Sequence, residues 1–534
     1  MWLQNYTPIG GSLALSSLVA AIPIFVLLYL LGIARKPSWI ASLCGLVSAL
    51  AVALFAYGMP VSLAVSSAFY GAANGMLPIG WIVFTAILLY RVTVETGKFE
   101  IIKDSVASLT GDQRLLALLV AFSFGGFIEG AAGFGTPVAV AGAMLAGLGF
   151  TPFFAAAICL VANTAPVAFG SIGAPQVMLQ NVTKLPMAAL SADVGRLCSP
   201  FALIIPAYIM LIMGGTKALK EVLPAALLSG LAFAGTEFAV SNFVGPELVA
   251  ILGAIVSLVV LVLLLKVWKP ANTVPAVTHP HTGGEVLLAW SPYLLLVMFV
   301  LAWATPSIKK VLDDAATFAF GWPGLHNLVH QVVPVAAKET PYAAGYRLTL
   351  LSASGTSCLF AVFASCLVLG VSPGRLAKYI AMTGKQLMFP LITIASVVGL
   401  AYVMNYSGAT ATLGLMIAGT GVLFPFFSPL LGWLGVFLTG SDTSANALFG
   451  TLQTVTATKL MMSPTLMAAA NSSGGVMGKM ISLQSIAVAA AATGMKREEE
   501  GKLFRFTLKH SVFLAFLMGL LVMFYAYVMP NWVK

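Results

Sequence analysis

The stretch GGFIEGAAGFGTPVAVAG, residues 125–142, places the carboxylate of Glu129 in an apolar run that several glycines interrupt. A charged side chain at membrane depth costs about 2.5–3.5 kcal/mol on insertion scales, so its presence there indicates a function. Glycines in apolar helices serve close packing more often than binding, so Gly125, Gly126 and Gly133 alone define no site. The fold of this protein must therefore accommodate an acidic side chain inside a glycine-interrupted apolar run.

The composition is that of an integral membrane protein. Of 534 residues, 60% are hydrophobic and 8% are charged, whereas about a quarter of the residues in a soluble globular protein are charged. The net charge of +10 comes from Lys and Arg in short loops, which indicates membrane orientation rather than nucleic-acid binding. The five cysteines have neither disulfide nor zinc spacing. The first apolar run follows no basic segment, so we expect it to be a retained span.

Twelve apolar runs are long enough to cross a membrane, which takes about 20 residues. Ten are clear candidates: 12–34, 38–57, 76–97, 200–214, 222–242, 246–265, 286–305, 348–370, 386–405 and 508–529. Two more, 153–180 and 463–493, contain polar residues near their middles. The regions 114–150 and 424–460 are broken at the centre by Gly and polar residues. Each is predicted to be a re-entrant hairpin or, alternatively, two short spans.

Two sequence blocks recur in the same order. FIEGAAGFGTPV (127–138) aligns with FLTGSDTSANAL (437–448) at an offset of 310. ANTAPVAFGSIGAPQ (162–176) aligns with ANSSGGVMGKMISLQ (470–484) at an offset of 308. Nearly equal offsets for both blocks indicate an internal repeat.

Counting the crossings predicts inverted repeats. The first half, residues 1–215, has five spans plus hairpin 114–150, and residues 216–284 supply two linker spans and a loop. The second half, residues 285–534, with hairpin 424–460, therefore begins on the opposite face. With the N-terminus outside, 17 Lys and Arg lie in inside loops and 7 in outside loops. This matches the excess of Lys and Arg that cytoplasmic loops carry. The predicted fold is an all-α, multi-pass membrane protein with about 12 transmembrane helices and two hairpins. Two full spans in place of each hairpin would keep the same parity.

The two breaks are the predicted binding site. Gly-interrupted segments at matching places in two halves mark a transporter's site, and the N-termini of half-helices there favour an anion. Thr136 followed by Pro137 is a good helix start. The polar residues of the breaks are the candidate ligands: Gly130, Thr136, Asn163, Thr164, Gln176, Ser441, Thr443, Ser444, Asn471, Ser472, Ser473, Lys479 and Gln484. Gln176 and Gln484 could equally cap broken helices.

Three motifs resemble one known family. GGFIEGAAGFGTPVAV, GSDTSANALFGTLQ and NSSGGVMGKMISLQSIAVA look very like the bacterial lactate permeases, whose members take up L-lactate, D-lactate and glycolate with protons. The resemblance covers nearly the whole chain and implies alternating access, with an elevator-like movement, in the bacterial inner membrane. It also implies lactate, glycolate and protons as the partners, with lipid around the spans.

Two carboxylates are candidates for the proton site. An anion carrier working against a negative-inside potential must bring in a cation, and Glu129 and Asp442 lie at the two breaks. They are not repeat-equivalent, since Glu129 aligns with Thr439 and Asp442 with Ala132. Glu129 has the more apolar flanks and is preferred, while Asp442 would orient Lys479 or carry the proton instead. We expect Lys479 to pair with the substrate carboxylate. A structural ion pair among the three charges is the alternative.

Other classes of protein fit less well. A membrane enzyme would need a nucleophile with a nearby base, or a metal cluster, and the breaks hold mainly Asn, Thr, Ser and Gln. His279 and His281 form no metal motif, so neither metal nor cofactor is predicted. A channel would share the hairpins, and a carrier of dicarboxylates is the closer rival. One buried Lys suits one carboxylate better than two. The sequence does not determine the oligomeric state.

Overall fold

The computed structural model describes residues 1–34, 36–133, 135–270, 281–336, 338–496 and 499–533. Twelve helices in these ranges are long and apolar enough to cross a membrane, so the predicted all-α, multi-pass fold is confirmed. The helices up to the middle of the chain are α1 (Leu13–Ala20), α2 (Ile22–Leu28), α3 (Ser38–Ala51), α4 (Val61–Asn74), α5 (Trp81–Glu95), α6 (Lys98–Ala107), α7 (Gln113–Leu116), α8 (Gly125–Ala131), α9 (Thr136–Gly147), α10 (Pro152–Ala162), α11 (Gly170–Thr183) and α12 (Met187–Glu221). The others are α13 (Leu223–Phe243), α14 (Val249–Val267), α15 (Gly283–Ala304), α16 (Pro306–Ala316), α17 (Ser354–Val368), α18 (Pro373–Ser407), α19 (Ala409–Ile417), α20 (Phe424–Thr439), α21 (Asp442–Lys459), α22 (Pro464–Lys479), α23 (Leu483–Thr493) and α24 (Glu500–Tyr527).

The twelve helices are not the same set as the twelve predicted spans. Gln113–Ala131 and Ala409–Thr439 are among them, whereas the predicted span 153–180 is a bent pair of helices and 348–370 contains only the shorter helix α17.

One long helix also differs from the sequence prediction. Helices α4 and α5 are joined by a π-helical segment, Gly75–Gly80, into one apolar rod over Val61–Glu95, whereas the sequence predicted a span only over 76–97. The added part is rich in Ser and Ala, which lowers its hydropathy. These small side chains let α4 pack closely against α18, so packing extends the helix beyond its most apolar stretch.

The long segment between α16 and α17 contributes short strands that the prediction of helices did not include. Strands β2 (Thr317–Gly321) and β5 (Gly345–Thr349) form an antiparallel pair. Strand β3 (Val329–Gln331) pairs with both β1 (Trp2–Leu3) and β4 (Thr340–Pro341). Tyr70 of α4 reaches this region, since its hydroxyl donates to the carbonyl oxygen of Gly345 (2.7 Å). The strands therefore cover one end of the helical body.

Four interruptions of the helices lie at or near the predicted breaks. Helix α8 ends before α9 begins at Thr136, and α20 ends one residue before Gly440. Helix α11 follows α10 with a bend of 63°, and its backbone is left-handed at Ser171 and Ile172 (φ 46° and 56°). The fourth interruption separates α22 from α23. The hairpins, the inverted repeats and the division at residues 215 and 284 stay predictions.

Helix α22 passes through the centre of the molecule. Every one of its residues except Pro464 is buried, and it contacts α20, α21, α12 and α24. Its contact with α20 requires glycine, because a Cβ at Gly474 would lie 1.9 Å from the carbonyl oxygen of Pro429. Small residues in this way let the backbones of membrane helices approach one another.

Candidate functional site

A cavity of about 270 Å³ lies where the interrupted helices meet. It brings together residues from both sequence blocks, which lie more than 300 positions apart. The residues around it are Ser38, Trp39, Glu129, Gly135, Val167, Gly170, Ser171, Pro175, Phe389, Pro390, Thr393, Ile394, Thr439, Gly440, Ser441, Asp442, Thr443, Ser444, Lys479, Gln484, Ser485 and Val488. Seven of the residues predicted from the sequence therefore lie in its wall.

Glu129 enters the cavity from α8 and is buried, with 4% of its surface exposed. Asn163, at the end of α10, donates from Nδ2 to Oε2 of Glu129 (2.9 Å). Gly170 permits this position, because a Cβ there would lie 2.6 Å from Oε1 of Glu129. The predicted residues Glu129 and Asn163 thus form one hydrogen-bonded pair.

Asp442 lies in the first turn of α21, where a negative charge interacts favourably with the helix dipole. Its Oδ2 accepts hydrogen bonds from Ser472 Oγ (2.6 Å) and from Asn446 Nδ2 (3.4 Å). Its Oδ1 is buried and has no hydrogen-bond partner among the described residues. Ser441 caps the same helix, accepting from the backbone N–H of Ser444 (3.3 Å). Asp442 thus presents one oxygen that the protein leaves unpaired.

Lys479 ends α22 and is 7% exposed. Its Nζ donates to the carbonyl oxygen of Gly440 (2.7 Å), which leaves two of its three N–H donors for other partners. It lines the same cavity as Glu129 and Asp442. In the described part of the chain, however, it lies within 4 Å of no carboxylate. The cation is therefore held by backbone and remains available to a ligand anion.

A polar network behind the cavity wall fixes these groups. Ser472 Oγ accepts from Gln176 Nε2 (2.9 Å) and from Asn446 Nδ2 (3.2 Å) while it donates to Asp442. Asn471 Nδ2 donates to Asn446 Oδ1 (2.9 Å) and Asn471 Oδ1 accepts from Gln453 Nε2 (3.1 Å). Three predicted ligands, Gln176, Asn471 and Ser472, therefore lie in this network rather than on the cavity wall.

The other predicted residues have different surroundings. Gly130 packs against Ile251 of α14, where a Cβ would come within 2.8 Å. Thr164 donates to the carbonyl oxygen of Val161 (2.6 Å). Ser473 is fully buried, and Gln484 and Thr443 line the cavity. Their roles as ligands stay predictions.

The N-cap of α9 was predicted at Thr136, with Pro137 as the first helical residue, and it lies one residue earlier. Gly135 is the N-cap of α9, with φ of 80°, and Thr136 is the first helical residue. The left-handed backbone at the cap favours glycine over threonine, and the sequence pattern of Thr followed by Pro did not reveal it.

An aromatic wall of the cavity was missed by the sequence reasoning. Trp39 of α3 and Phe389 of α18 stack with ring centroids 5.2 Å apart, and both line the cavity. Aromatic residues within apolar spans have the same appearance in sequence whether they face lipid, core or ligand, so no local signal marked them.

A second, larger cavity of about 760 Å³ adjoins the first and shares Ser38, Thr439 and Gln484 with it. Lys36 and Glu500 line its far part. It therefore connects the polar site to the face of the molecule that carries these charged residues.

The two histidines of the 279–281 segment form no metal site with other residues that are described. His281 contacts Asp104, with Nε2 3.1 Å from Oδ2, and His279 lies outside the described residues. The described residues contain no group of three or more His, Cys, Asp or Glu placed to hold a metal ion.

The spans and the enclosed polar cavity define the class of multi-pass membrane proteins with an internal site. Comparison with known proteins identifies the family. The L-lactate permease model matches residues 16–529. The chain is 48% identical to the L-lactate permease of Bacillus subtilis (strain 168), with 97% of each chain covered. It is 46% identical to the glycolate permease GlcA of Escherichia coli (strain K12), covering 99% of this chain and 98% of that protein.

The chain belongs to the L-lactate permease family, and the resemblance seen in its motifs is confirmed. A transporter rather than an enzyme is indicated. Among solved structures, the Alcanivorax borkumensis YdaH transporter aligns over 86% of each chain at 17% identity, with a TM-score of 0.43. That similarity is too low to carry an argument about mechanism.

Proposed function

We propose that the protein imports lactate and glycolate together with protons. The observation that carries this proposal is that Lys479, the one cation among the described residues that line the cavity, shares that cavity with Glu129 and Asp442 without pairing with either at close range. One free cation suits one substrate carboxylate, and the two acids offer places for a compensating proton. The names of the relatives support lactate and glycolate as substrates.

The substrate carboxylate would lie between Lys479 and the start of α21. The N–H groups of a helix N-terminus attract anions, and Thr443 and Ser444 are in the first turn of α21. The remainder of a 2-hydroxy acid would face Trp39 and Phe389, whose rings provide an apolar surface on the opposite wall. A second carboxylate would have to lie against this apolar wall, which disfavours dicarboxylates.

Asp442 is the better supported of the two proton sites. Its Oδ1 lies buried without a donor, and an unpaired carboxylate charge is costly there, whereas a protonated carboxyl is accommodated. Glu129 accepts one hydrogen bond, from Asn163, and Asp442 accepts two at Oδ2, so the unpaired Oδ1 is the feature that distinguishes Asp442. The sequence preference for Glu129 is thus reversed in this proposal.

Alternating access would move the two broken segments against the helices that carry the aromatic wall. Helix α18 packs closely against α3 and α4, and α3 and α18 supply Trp39 and Phe389, whereas the polar groups come from α8, α21 and α22. We infer an elevator-type movement between these two bodies. We also infer a bacterial inner-membrane location with the N-terminus outside, because the charged loops at the Lys36 face then lie in the cytoplasm.

Transport by the purified protein in proteoliposomes tests the proposal. Labelled lactate should accumulate when the inside is alkaline, and unlabelled lactate and glycolate should compete while a dicarboxylate such as succinate should not. Unlabelled substrate on the far side of the membrane should accelerate uptake of labelled lactate by a carrier, because a carrier exchanges one substrate molecule for another. It should not accelerate flux through a channel. Accumulation that is indifferent to the pH gradient would contradict proton coupling.

A further inference from the structure

Glu237 is a buried carboxyl group within the apolar helix α13 that the substrate cavity does not include. It lies in α13, six residues before the helix ends at Phe243, and is 0% exposed. Neither of its carboxylate oxygens has a hydrogen-bond partner among the described residues. The neighbouring hydroxyl of Ser199 donates instead to the carbonyl oxygen of Gly195 (2.7 Å). An ionisable residue at this depth is a functional candidate by default.

Among the described residues, no Lys, Arg or His lies within 4 Å of the Glu237 carboxylate. On α12 the titratable residues toward this end of α13 are Asp193, Arg196 and Cys198, and Arg196 pairs with Asp193 (3.2 Å). On α14 the charged residue is Lys266, near the far end of that helix and next to the start rather than the end of α13. The π-helical segment Ala117–Phe124 has no titratable side chain. The uncharged, protonated form of Glu237 is therefore the one that these surroundings accommodate.

Buried polar groups lie on the helices between Glu237 and the substrate cavity. Helix α12 packs against both α13 and α22. It carries the buried thiol of Cys198, and on α22 the buried hydroxyl of Ser473 has no hydrogen-bond partner among the described residues. The next residue of α22, Ser472, donates to Asp442 (2.6 Å). Hydroxyls and thiols can both donate and accept, so they can pass a proton.

A second polar run begins about one helical turn after Glu237, at Ser241, whose Oγ accepts from Asn242 Nδ2 (3.3 Å). Arg196 Nε donates to Asn242 Oδ1 (3.0 Å), and Arg196 also bonds Asp193 (3.2 Å) and the carbonyl oxygen of Trp532. Trp532 is 43% exposed, so this run reaches the surface of the molecule. By the charge pattern of the loops, this end is the outer face.

We propose that Glu237 binds a proton on a route, separate from the substrate cavity, that runs from the Arg196 end of α12 and α13 to Asp442. A proton from the outer side binds a carboxylate oxygen of Glu237 and is then transferred to the carboxylate of Asp442. Glu237 is left as a carboxylate until the next proton arrives. The inference rests on the proton coupling proposed above.

Glu237→Gln tests the route, because glutamine keeps the size of the side chain and cannot release a proton. In proteoliposomes, the initial rate of lactate uptake driven by a pH gradient should fall at least tenfold. Exchange of labelled for unlabelled lactate without a gradient should stay within twofold of the wild type. Infrared spectra of the purified protein should lose one protonated-carboxyl band. Asp314→Asn, which removes an exposed acid, should change none of the three.

The outcomes are separable. Gradient-driven uptake by Glu237→Gln within twofold of the wild type, or an unchanged infrared band, overturns the route. If this variant lacks exchange as well, Cys198→Ala, which removes the buried thiol of α12 from the route, is measured in its place, and it should slow gradient-driven uptake at least threefold while sparing exchange. An unchanged rate in that variant overturns the proposal. A wild-type protein without gradient-driven uptake refutes proton coupling itself.

Discussion

Replacing Lys479 by alanine tests whether this side chain binds the substrate carboxylate. Lys479 is 7% exposed and already donates to the carbonyl oxygen of Gly440 (2.7 Å). A further charge-assisted hydrogen bond to the substrate would contribute about 1.5–3 kcal/mol. Since each 1.4 kcal/mol is a factor of ten in affinity, the KM for lactate should rise about 10- to 150-fold.

The assay is the initial rate of lactate exchange in proteoliposomes over a range of concentrations, because exchange separates substrate binding from the proton gradient. Lys479→Gln keeps an N–H donor for the Gly440 carbonyl and removes only the charge, so it should reproduce most of the increase in KM. Lys459→Ala is the matched control, since Lys459 lies exposed at the end of α21 and its KM should stay within twofold. An unchanged KM and Vmax in both Lys479 variants would refute the role.

Three further predictions concern coupling, topology and packing. Asp442→Asn should abolish accumulation driven by a pH gradient yet preserve exchange, because exchange needs no net proton release, and Glu129→Gln should do so only if that acid carries the proton. If the hairpins enter from opposite faces, a cysteine at Gln113 should react with a membrane-impermeant maleimide from the cytoplasm and one at Val422 from outside. Gly474→Ala should lower the melting temperature in detergent, since overpacking of this kind costs about 1–3 kcal/mol.

Each of these has a result that would contradict it. Wild-type accumulation in both acid variants would place the proton elsewhere. Labelling of both cysteines from one face would exclude inverted repeats, in a background where the exposed Cys44 is replaced. Gly374→Ala, where an added Cβ meets nothing within 4 Å, should leave the melting temperature unchanged, and an equal loss in both glycine variants would point away from packing.

The membrane class and most of the spans were predictable from sequence, because about 20 apolar residues in a row are needed to span a bilayer. Gly-rich interruptions marked several of the helix breaks but not all, since Asn471, Ser472 and Ser473, predicted at a break, lie inside the continuous helix α22. The resemblance of the three motifs also led to the correct family. Charge at membrane depth singled out Glu129, Asp442 and Lys479, and the same rule, applied to 222–242, would have found Glu237.

The tertiary structure decided which of these residues meet. Glu129 and Asp442 lie 313 positions apart, and their shared cavity depends on the packing of α22 against its neighbours, which no local pattern encodes. Packing also placed Asn471 and Ser472 in the network behind the wall and brought Trp39 and Phe389 into the wall itself. The helix period shows which side chains share a face of a helix. It does not show whether that face contacts lipid, another helix or the cavity, because this depends on where the neighbouring helices pack.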